Sequence, residues 1–129
     1  MFKILIVEDN RLLRDALCTS LQAHFPHLTM MTAARIQDAR AKVRAMKPDL
    51  IFVDMRLPDG KGLDFTRSLR AAGNKSVIIV LTSHDLPEYR EAALSSGADH
   101  FMVKGSVDMN DLFAVVESTL ALRSGERPR

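Results

Sequence analysis

The 129-residue chain has little of what would place it outside the ordinary globular class. It has one cysteine, Cys18, so no intramolecular disulfide can form and a reducing compartment suits it. No histidine partner for Cys18 is apparent, so it reads as a small packing residue rather than a reactive thiol. Long apolar runs are also missing: the opening Met-Phe-Lys-Ile-Leu-Ile-Val-Glu-Asp has only Ile4 to Val7 before two acids. This is neither a secretion signal nor a membrane span, and nothing later reaches spanning length, so a soluble cytoplasmic protein is expected. Excess charge is absent too. The formal net charge of +2 is matched by the last seven residues, where Arg123, Arg127 and Arg129 face one acid, Glu126. The rest of the chain is therefore neutral, and the basic pI argues little for nucleic-acid binding. There is no internal repeat, low-complexity tract or interdomain linker.

What is present is an apolar share of 47% and a charged share of 26%, enough to bury one core. The length suits one domain, expected over residues 1–122, with 123–129 as a tail or the start of a linker. Short runs rich in branched residues predict strands at about Lys3 to Val7, Leu28 to Ala33, Leu50 to Val53, Val77 to Leu81 and His100 to Val103. Between them, apolar spacings of three and four predict helices. Leu13, Ala16, Leu17 and Leu21 mark the first, and Ile36, Ala39, Val43 and Met46 the second. Leu63, Leu69 and Ala72 mark the third, Pro87 to Ser95 the fourth, and Leu112, Val115, Val116, Thr119 and Leu120 the fifth. Pro48, Gly73 and Gly97 follow three of these helices as stop signals, and Pro87 opens the fourth. Strict alternation predicts an α/β fold, a five-stranded parallel sheet with five helices on its two faces; the doubly wound, flavodoxin-like order 2-1-3-4-5 is the topology expected for it.

In such sheets the chemistry sits at the carboxyl ends of the strands. Glu8 and Asp9 follow the first strand and Asp54 follows the third, its neighbour in this order. Three gathered carboxylates repel unless a cation neutralises them, and oxygen ligands without His or Cys suit Mg²⁺ better than zinc. Taken alone, Asp9 reads as the cap of the first helix. Thr82 and Lys104 follow the fourth and fifth strands, offering a hydroxyl and an ammonium to phosphoryl oxygens. Taken singly, they read as a turn hydroxyl and a solvated lysine.

The motifs Ile-Val-Glu8-Asp9-Asn, Phe-Val-Asp54-Met-Arg-Leu-Pro-Asp-Gly60, Val-Leu-Thr82-Ser and Gly97-Ala-Asp-His-Phe101-Met-Val-Lys104 together resemble the receiver domain of response regulators in two-component signalling, over nearly the whole chain. The resemblance implies that Asp54 is the phosphoacceptor, taking a phosphoryl group from a histidine kinase or phosphotransfer protein. It implies that Asp9, Asp54 and the Arg56 backbone carbonyl hold Mg²⁺, with Glu8 acting largely through water, and that Thr82 and Lys104 contact the phosphoryl group. It implies that Thr82 and the aromatic Phe101 form a switch that reshapes the face of the fourth helix, fifth strand and fifth helix. The alternative for Phe101 is a plain core residue. The protein is then expected not to be an enzyme beyond its own phosphorylation and dephosphorylation, and homodimerisation on phosphorylation is an implied option.

Many receivers carry proline after the lysine, often in a cis peptide; here Gly105 stands there. The Val-Lys-Gly-Ser ending resembles receivers joined to LuxR-type helix-turn-helix regulators, which implies a C-terminal DNA-binding domain outside this segment. No helix-turn-helix candidate lies within it, so the segment itself is not expected to bind DNA. Arg56 and His84, two past Asp54 and Thr82, are expected to flank the opening of the site, and Arg40, Arg44 and Lys47 form a basic stripe expected to be a solvated face. Two rivals remain. A haloacid-dehalogenase-type phosphohydrolase would need an acid two residues after the nucleophile, where Arg56 stands. A receiver-like module working without phosphorylation would not need the acids, Thr82 and Lys104 to be intact.

Overall fold

The computed structural model describes residues 2–123. In chain order the elements are β1 (Lys3–Val7), α1 (Arg11–His24), β2 (Thr29–Ala33), α2 (Ile36–Met46), β3 (Leu50–Asp54) and the two-residue strands β4 (Arg56–Leu57) and β5 (Gly60–Lys61). Then follow α3 (Gly62–Ala71), β6 (Val77–Thr82), α4 (Pro87–Ser95), β7 (His100–Val103), a short 3₁₀ turn at Lys104–Ser106 and α5 (Met109–Arg123). The five long strands pair in parallel in the order β2-β1-β3-β6-β7, which is the predicted 2-1-3-4-5.

Residues on alternate sides of each strand feed two cores. On one face Leu5, Val7, Ile51, Val53, Ile78 and Val80 pack under Ala39 and Val43 of α2, Phe65 and Leu69 of α3 and Ala93 of α4. On the other, Ile4, Ile6, Leu50, Phe52, Ile79 and Leu81 meet Leu17 and Leu21 of α1 and Leu112 and Val116 of α5. Burial on both faces explains why the strands read as continuous apolar runs. Phe52 and Phe65 are the largest of the fully buried side chains, and truncating either to alanine would cost about 3–5 kcal/mol.

Three helix ends differ from the sequence expectation or refine it. The cap of α1 is Asn10, whose Oδ1 accepts a hydrogen bond from the Leu13 N–H at 3.2 Å, so Asp9 is not the cap. The reason is register: helical geometry begins at Arg11, one residue later than an Asp9 cap requires. At the end of α2, Lys47 takes the left-handed conformation (φ 49°) directly before Pro48, so the stop is made by the pair rather than by proline alone. In α5, Arg123, which the sequence assigns to the tail, is helical and donates to the Lys75 carbonyl. Residues 124–129 lie outside the described residues.

Candidate functional site

The parallel register decides which strand ends meet. Val7 stands opposite Val53, Asp54 opposite Leu81 and Thr82 opposite Val103, so Glu8, Asp54, Thr82 and Lys104 are brought to one edge of the sheet. Asp54 and Thr82 are themselves the last residues of β3 and β6, one beyond the predicted strand ends. Both are therefore held by the ladder, with the Met55 N–H donating to the Leu81 carbonyl at 2.9 Å just past Asp54. They line an open cavity of about 820 Å³ together with Asp9, Lys104 and Ser83. Arg56 and His84 line it too, in the flanking positions expected for them.

Glu8, Asp9 and Asp54 each place a carboxylate oxygen within 4.8 Å of the others. Glu8 is fully buried and Asp54 6% exposed, whereas Asp9 is exposed. Lys104 supplies the counter-charge, its Nζ standing 2.9 Å from both Glu8 Oε1 and Asp54 Oδ2. One Glu8 oxygen, Oε2, accepts from the Asn10 N–H at 2.9 Å. The other, Oε1, meets Lys104 by charge and distance but has no aligned hydrogen-bond donor, and is buried. Burial pushes the Glu8 carboxyl above its ordinary range, against the pull of the Asn10 N–H and Lys104, and the Asp54 charge adds to the rise. For Lys104, burial works against the charge, yet its two carboxylate partners outweigh it and hold the ammonium above its ordinary value.

Three acids with carboxylate oxygens within 4.8 Å of one another, set against the single ammonium of Lys104, fit a hard divalent cation, which takes oxygen ligands and retains waters. The acids predicted from sequence are thus brought together. The solvated-lysine alternative for Lys104 fails, because its side chain is 17% exposed and spent on two acids. Thr82 is buried, and its Oγ1 accepts from the His84 N–H at 3.2 Å. Phe101 is buried, pairs with Val80 in register, and lies with Arg90 stacked 4.9 Å from its ring centroid. By strand alternation Thr82 and Phe101 share one sheet face.

After Lys104 the chain turns through Lys104–Ser106 with no cis peptide among the described residues. Gly105 takes no positive φ, and a Cβ there would meet nothing within 4 Å, so this turn does not depend on glycine. Gly62 does matter, and the sequence reading gave it no role: a Cβ there would stand 2.0 Å from the Asp54 carbonyl oxygen. It lets α3 start directly against the backbone of Asp54, with the Gly62 N–H donating to the Met55 carbonyl at 2.8 Å. Asp59 was also missed. Its carboxylate accepts the Ile36 and Gln37 N–H groups at 2.7 and 3.0 Å, capping α2 from the loop that follows Asp54. The turn signal Pro58-Asp59-Gly60 marks the loop in sequence, though nothing local names the helix it caps. The basic stripe is solvated as expected, with Arg40, Arg44 and Lys47 all exposed; from that face Arg40 also reaches α3, lying 5.2 Å from the Phe65 ring and donating to Ser68 Oγ at 3.0 Å.

Three strand-end acids, a bridging lysine and a buried threonine on a 2-1-3-4-5 sheet define the receiver class of signalling switches. Comparison with known proteins agrees: the response regulator receiver domain family matches residues 4–117, and the chain belongs to it. It is thus a phosphorylation-activated switch of the two-component type. Among curated relatives, the swarming motility regulation protein RssB of Serratia marcescens is 39% identical over 78% of this chain and 45% of its own length. The KDP operon transcriptional regulatory protein KdpE of Escherichia coli is 36% identical over 81% of this chain and 45% of its own. A solved LuxR-family two-component response regulator from Aurantimonas superposes with a TM-score of 0.81 at 26% identity, covering 92% of this chain and 84% of that one. The chain thus spans about half the length of the curated relatives it matches. No helix among the described residues is long and apolar enough to cross a membrane.

Proposed function

We propose that Asp54 is the phosphoacceptor of this receiver and that Thr82 and Lys104 hold the transferred group. The observation that carries this reading is the Lys104 ammonium, held 2.9 Å from Asp54 in the lining of a cavity that Thr82 also lines. An Asp54 carboxylate oxygen forms a P–O bond as the donor's P–N bond breaks, and the imidazole of the phosphohistidine leaves with the bonding pair. Lys104, already beside Asp54, neutralises the added charge, and the Thr82 hydroxyl turns from the His84 N–H to a phosphoryl oxygen. Asp9, Asp54 and the Arg56 carbonyl would hold Mg²⁺, with Glu8 acting through water. When bound, the ion supplies charge neutralisation for carboxylates and phosphoryl oxygens alike. The only catalysis in this reading is on the protein itself, making and hydrolysing its own acyl phosphate.

The switch is a shift between two populations, with Thr82 and Phe101 as the moving pair on one sheet face. The phosphodonor is a sensor histidine kinase or phosphotransfer protein. The response is read by an output domain, and the transcriptional roles printed for relatives such as KdpE support transcription control. Incubation with acetyl phosphate and Mg²⁺, followed by intact mass, tests the reading. One added phosphoryl group on the native protein and none on Asp54→Asn supports it; no addition, or equal addition to both, refutes it.

A further inference from the structure

Asp59 links the loop after Asp54 to a helix more than twenty residues away in sequence. The first turn of α2 exposes orphan N–H groups, and its own flanking residue, Arg35, makes no side-chain cap. Asp59 fills that role from a distance, Oδ1 accepting Ile36 N–H at 2.7 Å and Oδ2 accepting Gln37 N–H at 3.0 Å. The segment between Asp54 and α3 is short and fixed at several points. Arg56 pairs with Lys61 and Leu57 with Gly60, Leu57 is buried in the core under α2 and α3, and Gly62 sits against the Asp54 backbone. At Gly60 a Cβ would meet Ile36 Cδ1 at 2.9 Å, so loop and helix start are already in close contact. The same segment brings the Arg56 N–H to 3.4 Å from Asp54 Oδ1.

We propose that Asp59 is a positioning residue for phosphorylation: by holding the Arg56–Lys61 hairpin against α2, it sets the Arg56 backbone in place beside Asp54. The inference rests on the reading of Asp54 as phosphoacceptor. Asp59 never touches the reacting atoms; its carboxylate acts through the hairpin. The two backbone donors also hold the Asp59 carboxyl below its ordinary range, as expected of an anion engaged at a helix start.

Loss of the cap has two separable consequences, a weaker α2 and an unmoored hairpin. Arg35 stands at the position from which a short polar side chain caps α2 locally, so Arg35→Ser restores the cap without the tether. The test compares the native protein, Asp59→Ala, Asp59→Asn and the double variant Asp59→Ala/Arg35→Ser. Each is assayed for thermal midpoint and for the initial rate of acetyl phosphate labelling at saturating Mg²⁺. Asp59→Ala is expected to lose about tenfold or more in rate, since small misplacements at a reacting centre are costly. Asp59→Asn, which keeps one acceptor oxygen, falls between. The double variant is expected to regain the thermal midpoint while its rate stays low. Native-like labelling of Asp59→Ala, or rate and stability recovering together in the double variant, overturns the proposal. A native protein that takes no label would instead refute the phosphoacceptor reading itself.

Discussion

Lys104 Nζ stands 2.9 Å from Asp54 Oδ2 and, on its other side, 2.9 Å from Glu8 Oε1, so one ammonium serves two carboxylates that are almost wholly buried. Removing it would leave both acids facing each other in a low-dielectric setting. Lys104→Met is expected to destabilise the domain by about 3 kcal/mol, the usual scale for breaking a buried ion pair from one side. Because a divalent cation can replace the missing charge, millimolar Mg²⁺ should raise the thermal midpoint of Lys104→Met more than that of the native protein. Calorimetry with and without the ion checks this, and equal shifts would count against metal binding at these acids.

Gly62→Ala should be among the most damaging small substitutions in the chain. Its Cβ would have to stand 2.0 Å from the Asp54 carbonyl oxygen, so the start of α3 must move away from the end of β3. A loss of about 3 kcal/mol or more is expected from backbone displacement of this kind. Urea unfolding measures it. Gly105→Ala serves as the control, with a change near zero, because nothing stands within 4 Å of its Cβ position.

The Asp59 cap has a pH signature. Its carboxyl is held below the ordinary aspartate value of 3.8 by the Ile36 and Gln37 N–H groups, so the anion is favoured in the folded state. The contribution to stability is therefore fully present above that ordinary value and is lost as pH falls through the lowered folded value. Amide chemical shifts of Ile36 and Gln37 should change over this acid window in the native protein and stay flat in Asp59→Asn.

Thr82→Ala should separate labelling from response. The hydroxyl accepts from the His84 N–H, and among the described residues the contacts of Asp54 are with Lys104 and the Arg56 N–H rather than with Thr82. The variant should still take a phosphoryl group, but chemical-shift changes at Phe101 on labelling should shrink several-fold. Thr82→Ser should retain them. Full-size Phe101 shifts in Thr82→Ala would remove threonine from the switch.

Much of this was legible in the chain. Continuous apolar strands and helices of period near 3.6 marked the elements of a parallel sheet, because burial on both faces leaves no polar alternation to confuse the reading, while the order of the strands was taken from the flavodoxin-like topology. Glu8, Asp54, Thr82 and Lys104 could be grouped because each follows or ends an apolar run, and the sheet edge does the gathering. What escaped depends on contacts that no local pattern records. Asp9 and Asn10 are both good capping residues, and only the helix register selects Asn10. Asp59 reaches across 23 positions to Ile36, and the need for glycine at position 62 comes from a main-chain oxygen eight residues earlier. Arg40 is solvated as its polar helix face implies, and what no local pattern records is its contact with Phe65 and Ser68 of the adjoining helix.

The central claim, that Asp54 receives the phosphoryl group, is tested most directly by locating the modified residue. An aspartyl phosphate is reduced by borohydride to homoserine, so labelling with acetyl phosphate and Mg²⁺, reductive trapping and peptide mass spectrometry identify the site. Conversion at Asp54 alone is the predicted result. Conversion at Asp9 or any other carboxylate, with Asp54 intact, would contradict it.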